Sequence, residues 1–178
     1  MSTGHVAIHR LSPDEAEAYG PALADVLIDC VDGGASVSFM APLSREKAER
    51  FWRTVAAGVA AGERVLLVAR DAGDGAVVGT VQVILAQPEN QPHRADVAKM
   101  LVHRRARRRG VGAMLMRAAE DAALAAGKTL LVLDTVSGSD AERLYQRLGW
   151  VRVGEIPDYA LWPDGRPCPT TYYYRRLG

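Results

Sequence analysis

The sequence predicts an α/β fold (α+β by some schemes): a mixed sheet with helices on both of its faces. Three observations carry this. The apolar period switches repeatedly between helical and strand spacing, giving the order βααβββαβαββ. Each helical stretch is bracketed by start and stop residues. The run "TLLVLDT" (129–135) is continuously apolar before its aspartate, the pattern of a strand buried on both faces.

The elements follow in order. Val6 to Leu11 is short and β-prone. Ser12-Pro13-Asp14-Glu15 then starts a helix, with Ser12 as N-cap, proline in the first turn and Glu15 three residues after the cap. Ala18, Ala22, Val26 and Cys30 make one apolar face running to about Val31. "DGGASVSFMAPLS" (32–44) breaks the period as a loop. Ser44 opens a second helix from Arg45 to about Ala61, closed by Gly62. "RVLLVAR" (64–70) and "AVVGTVQVILAQ" (76–87) flank the turn "DAGDG" and read as a hairpin. "RADVAKMLV" (94–102) is a further strand, followed by a helix from about Arg109 to Ala126. After "TLLVLDT", Ser139-Asp140-Ala141-Glu142 starts a last helix to about Leu148. "WVRVGEI" (150–156) and "TYYYRRL" (171–177) complete about seven strands. With no linker or repeat to divide it, the chain reads as a single domain over 1–178.

Composition excludes several function classes. Hydrophobic content of 48% and charged content of 24% are those of an ordinary globular protein. The 22 Lys and Arg face 21 Asp and Glu, so the net charge of +1 argues against a nucleic-acid binder. Cys30 and Cys168 are far apart, and the four histidines form no HExxH, so neither a disulfide framework nor a metal site is expected. The N-terminal stretch lacks a signal pattern and no apolar run is long enough to span a membrane, so the expected compartment is the cytoplasm.

Against that neutral background stands "RRARRRGVG" (104–112), placed between a strand and a helix. A helix N-terminus presents unpaired N–H groups and partial positive charge, which together attract anions. Gly110 and Gly112 allow close backbone approach, and Arg107, Arg108 and Arg109 supply charge. The expected ligand is a pyrophosphate; the bland alternative is a solvated basic turn. A P-loop would need a lysine after the glycines. A dinucleotide fingerprint would need glycine where Leu115 stands.

A third pattern, [Q/R]-x-x-G-x-[G/A], matches Arg107-Arg108-Arg109-Gly110-Val111-Gly112. With "VAKMLV" before it and "LLVLDT" and "AERLYQRLGWVRVGEI" after it, the chain resembles the GNAT superfamily of N-acetyltransferases. The resemblance covers about Val6 to Leu177. "DGGASVSFM", "LDT", "VGEIPDYA" and "PDGRPCPTTYY" look most like the tabtoxin-resistance acetyltransferases, although Asp32 stands where that group often carries histidine.

The resemblance implies a mostly antiparallel sheet with a splayed central pair and acetyl-CoA as co-substrate, with no metal. It implies transfer of the acetyl group to the primary amine of a small molecule, a toxin-like amino acid among the candidates, by direct attack in a ternary complex. The alternatives are a protein or peptide N-acetyltransferase and a non-catalytic acyl-CoA-binding module. No nucleic-acid or membrane partner is expected, and a homodimer stays open. The coenzyme residues implied are Met100, Leu101 and Val102 on the strand, with Arg107, Arg108, Arg109, Gly110, Val111 and Gly112 in the loop. Tyr145 becomes the candidate acid, with a core tyrosine as the alternative. Asp134, at the end of an apolar strand, is either the base or the anchor of the substrate ammonium. Asp32, Ser36, Asp158, Tyr159 and Thr170 are acceptor-pocket candidates that turn chemistry also explains. Asp96 and Lys99 read as solvated strand positions, and Arg104 and Arg105 as solvated charges or ribose-phosphate contacts.

Overall fold

The computed structural model describes residues 5–178; the first four, part of the N-terminal stretch read above, lie outside the described residues. Val6–Arg10 forms β1, and Ser12 caps Pro13–Ala18 (α1). The capping box is complete: Glu15 N–H donates to Ser12 Oγ at 3.3 Å, and Ser12 N–H donates to the Glu15 carboxylate at 2.8 Å. The single helix expected over 13–31 is two. Tyr19 ends α1 and Gly20–Asp32 (α2) begins afresh, with Pro21 in its first turn. Proline has no N–H to continue the earlier ladder, and a first turn needs none. Ser44 then caps Arg45–Ala60 (α3).

The strands Arg64–Asp71 (β2), Val77–Ile84 (β3), Arg94–Val102 (β4), Leu130–Val136 (β5), Val151–Leu161 (β6) and Pro167–Arg176 (β7) join β1 in one seven-stranded sheet. Its order is β1-β2-β3-β4-β5-β7-β6, antiparallel at every junction except β4–β5. Val111–Ala125 (α4) and Asp140–Arg147 (α5) complete the fold. β6 and β7 are longer than the sequence suggested, because irregularities in their pairing, between Ile156 and Ala160 among others, let β6 run on through Pro157.

Each face of the sheet has its own core. On one, Val111, Leu115, Met116 and Tyr145 pack against Val97, Leu131, Leu133 and Tyr173. On the other, α1 to α3 bring Leu23, Leu27 and Trp52 against Leu66, Val68 and Leu101.

Two departures from regular pairing create the site. β4 and β5 pair only from Arg94–Leu130 to Asp96–Val132. Beyond that point β4 pairs with β3, β5 pairs with β7, and the central pair stands open. Within the open half, β4 carries a bulge: Thr80 faces Leu101 and Gln82 faces Ala98, so Lys99 and Met100 together oppose Val81. Lys99 takes φ 50° there. A regular strand alternates faces, so Val97 and Met100 would point to opposite sides. Both instead pack toward α4, and Lys99 is turned to the α2–α3 side with Leu101.

Candidate active site

A cleft of about 1370 Å³ opens between β4 and β5, lined by the N-terminus of α4, by α5, by the 33–40 loop and by parts of β6 and β7. At its α4 end, Gly110 caps the helix in the left-handed conformation (φ 77°), where a Cβ would meet nothing within 4 Å. Space is therefore open beside the first-turn N–H groups of Val111, Gly112 and Ala113, which a helix leaves without internal acceptors. Gly112 is small for another reason. A Cβ there would come within 2.9 Å of Leu144 Cδ2, so this glycine lets α4 lie close to α5.

The arginines divide by role. Arg107 and Arg108 line the cleft, and Arg107 Nε donates to Val102 O at 3.2 Å. Arg109 instead pairs with Asp71 at 2.9 Å and is not among the lining residues. Arg104 donates twice to Asp29, and Arg105 pairs with Asp74, so these two exposed arginines secure the loop to α2 and to the β2–β3 turn. Burial pushes the Asp29 carboxyl up, but the Arg104 and His103 contacts outweigh it and hold it below its ordinary range. Arg117 and Arg147 also line the cleft. Nothing in the sequence marks them as site residues, because charges on helices usually face water.

Met100, Leu101 and Val102 all line the opening. His103 N–H donates to Val78 O at 2.9 Å, so backbone alternation commits Leu101 to β3 and turns Met100 and Val102 toward the gap. The Val102 carbonyl accepts from Cys30 Sγ at 3.6 Å as well as from Arg107.

Tyr145 reaches the cleft from α5. Its ring is buried against Trp150 and Tyr173, and burial first, then the Asp134 carboxylate, push its phenol well above the ordinary value of 10.0. Its position is held from behind: Tyr173 OH donates to Glu142 at 2.7 Å and accepts from Gln146 at 2.9 Å. Burial raises the Glu142 carboxyl, but bonds from Gly138 N–H, Tyr173 and Thr171 bring it below its ordinary value.

Asp134 stands on the other side. Leu131 and Leu133 point toward α4, so alternation turns Asp134 to the α2–α3 face. It is exposed in the cleft rather than buried, and Thr170 donates to its Oδ2 at 3.0 Å. Tyr172, opposite Asp134 on β7, shares a 2.8 Å hydrogen bond with Tyr159. That bond, then burial and Asp134, push the Tyr172 phenol up to about 12. The sequence signal for Tyr172 is the register of "TTYYY" on "LLVLD", which sets it opposite Asp134 and on the same face.

The acceptor candidates fare unequally. Ser36 lines the cleft but donates to Leu161 O at 2.7 Å, tying the loop to β6. Tyr159 lines it too. Asp32 lies outside, in a shallow depression with Arg104 and Arg105, because it ends α2 on the outer side of the loop. Asp158 occupies a positive-φ position (52°) in the β6 irregularity and does not line the cleft. Lys99 and Asp96 are not solvated strand positions. Lys99 lines the cleft and donates to Ser38, and Asp96 is tied to Arg94 and Gln87. Among the described residues no group of three or more His, Cys, Asp or Glu could hold a metal, and no helix is long and apolar enough to cross a membrane.

Residues 34–150 match the model of the acetyltransferase (GNAT) family. The chain belongs to this family. An N-acetyltransferase encoded in the hisH–hisA intergenic region of Azospirillum brasilense, itself uncharacterized, is 34% identical over 114 residues, 63% of this chain and 65% of its own length. The chain thus matches just under two thirds of that relative. GNAT acetyltransferases use acetyl-CoA, and yncA of Salmonella typhimurium, described as an acetyltransferase, was solved with it. That structure superposes with a TM-score of 0.78 at 19% identity, covering 97% of this chain and 94% of its own. An N-acetyltransferase from Staphylococcus aureus Mu50 gives 0.79 at 16% identity, covering 98% and 99%. A GCN5-related N-acetyltransferase from Kribbella flavida gives 0.77 at 25%, covering 97% and 98%. The seven-stranded sheet with one parallel junction is the GNAT fold.

Proposed function

We propose that the protein is an acetyl-CoA-dependent N-acetyltransferase acting on the primary amine of a small molecule, with direct attack in a ternary complex. The observation that carries this reading is the opening between β4 and β5, which joins the N-terminus of α4 to Asp134, with Tyr145 alongside. The residues present suit the coenzyme. The α4 N–H groups, with open space beside Gly110 and with Arg107 and Arg108 near, suit a pyrophosphate. The stretch of β4 at Met100 and Val102, which lines the opening, suits a pantetheine arm. Bound acetyl-CoA supplies an activated acetyl thioester.

The protein's own groups then have distinct tasks. The Met100 N–H is the assigned donor to a carbonyl oxygen as negative charge develops on it. Tyr145 keeps its proton throughout the neutral range, so its hydroxyl remains a donor for a departing thiolate. Asp134 has its Oδ2 bonded to Thr170 and its other oxygen without a hydrogen bond among the described residues, which leaves it able to orient an ammonium and take its proton. Burial raises the Cys30 thiol, making it a poor nucleophile and favouring direct transfer over an acyl-enzyme.

Thiol release measured over a panel of amines tests the reading. The panel includes free amino acids, peptides and a β-lactam amino acid, the last because of the tabtoxin-resistance resemblance. Release with small primary amines is expected. Release with peptides alone would reassign the acceptor. Acetyl-CoA binding without release for any amine would make the protein an acyl-CoA-binding module.

A further inference from the structure

Lys99 has no task in the chemistry above, yet its placement is costly. It occupies the β4 bulge with a left-handed φ of 50°, a conformation that a long side chain rarely adopts. The bulge moves its side chain off the α4 face and into the cleft, on the same side of the sheet as Asp134. There the ammonium donates to Ser38 Oγ at 2.9 Å and lies 5.8 Å from the centre of the Phe51 ring. Among the described residues it makes no ion pair. Asp134 acts on it electrostatically without touching it. An ammonium has three donors, and one neutral hydroxyl satisfies only one of them. A half-buried cation with unused donors, set across open space from an exposed carboxylate, is a pair of charges waiting for a complementary pair.

We infer that Lys99 is a specificity residue that binds the carboxylate of a zwitterionic acceptor, so that the substrate class is amino acids rather than amines in general. Resting on the acetyltransferase reading, this inference assigns the acceptor's ammonium to Asp134 and its carboxylate to Lys99. Desolvation works against the charge on Lys99 when the cleft is empty, and a bound carboxylate would relieve that penalty. Tyr159, whose hydroxyl is engaged with that of Tyr172, adds an aromatic ring to the cleft lining.

The test compares matched acceptors, L-phenylalanine with phenethylamine and L-methionine with 3-(methylthio)propylamine, by thiol release. Wild type is expected to favour the amino acid in kcat/KM by roughly ten- to a hundredfold, the size of a charge-assisted hydrogen bond. Lys99→Met should collapse that ratio to within about twofold, and Lys99→Arg should restore most of it. A ratio unchanged in Lys99→Met, or a wild type that favours the decarboxylated amines, overturns the inference. Equilibrium dialysis of L-phenylalanine and L-methionine in the presence of coenzyme A reads the same contact without turnover. Lys99-dependent binding with no thiol release would reject the transferase and leave the anchor standing. No binding and no release would reject both.

Discussion

Replacing Tyr145 with phenylalanine separates chemistry from packing. The Tyr145 ring is buried against Trp150 and Tyr173, but its hydroxyl makes no hydrogen bond within the described residues. Removing the oxygen orphans no partner and leaves both ring contacts in place. The stability change should stay within about 0.5 kcal/mol, which for a chain of this size is a melting shift of roughly 2 °C at most. As the donor to a departing thiolate, the same hydroxyl should carry a factor of about 10² to 10⁴ in kcat. At about 1.36 kcal/mol per tenfold, that is roughly 3 to 5 kcal/mol of transition-state stabilisation. The assay is thiol release at saturating acetyl-CoA and amine, with acetyl-CoA affinity by calorimetry and melting by scanning calorimetry. A kcat loss of at least a hundredfold is expected, with coenzyme affinity within about twofold. Because the phenol is held above 10.0, its own ionisation should leave no alkaline fall in wild-type kcat below that pH. A kcat within twofold of wild type would remove Tyr145 from the acid role. A melting drop beyond about 5 °C would show instead that the hydroxyl holds the core.

Three further outcomes can be checked. Gly79→Ala would set a Cβ 2.9 Å from the Leu101 carbonyl and 3.1 Å from Leu115; a cost of about 1–3 kcal/mol and a melting drop of roughly 3–10 °C are expected. Glu142→Gln should destabilise the protein at neutral pH by about 1–3 kcal/mol. Because the folded Glu142 carboxyl lies below its ordinary 4.5, its contribution is present above that value and lost as pH falls through the lower folded one, so melting curves of variant and wild type should converge in acid. Arg107→Ala should weaken acetyl-CoA binding about tenfold by calorimetry, whereas Arg109→Ala, whose partner is Asp71, should cost about 1 kcal/mol or less of stability and much less affinity.

Much of the fold was legible because its signals are local. Ser12, Ser44 and Ser139 each cap the helix they were expected to start, through a side-chain bond to a backbone N–H three residues on. Gly110 between strand and helix marked the α4 N-terminus for the same reason, since a left-handed cap suits glycine. What escaped depends on neighbours distant in sequence. The break at Tyr19 hides within an otherwise periodic apolar face. Gly112 looks like a ligand contact until Leu144 is found packed over it. Nothing in "RADVAKMLV" announces a bulge, because two residues oppose one only once β3 is in register. Arg109, in the middle of the motif, is taken up by an aspartate 38 positions earlier.

The same irregularity would let one cleft serve two ligands. An unbroken β4 would place Lys99 on the α4 face with Val97, on the side of the arginines near the α4 N-terminus. The bulge instead keeps Met100 packed against α4 while delivering Lys99 to the Asp134 side. Arginines then gather at the end suited to phosphates, and Lys99 shares the other with Asp134. A bulge costs ladder hydrogen bonds and places a non-glycine residue at positive φ, so it would be a poor choice for stability alone. Its location, at the strand that must open from β5 and beside no other distortion of β3–β4 pairing, ties that cost to the cleft. Shortening β4 by deleting Lys99 would restore regular pairing with Val81 while removing the cation. The cleft's two ends should therefore respond separately, with coenzyme affinity following Met100 and the loop, and acceptor preference following Lys99.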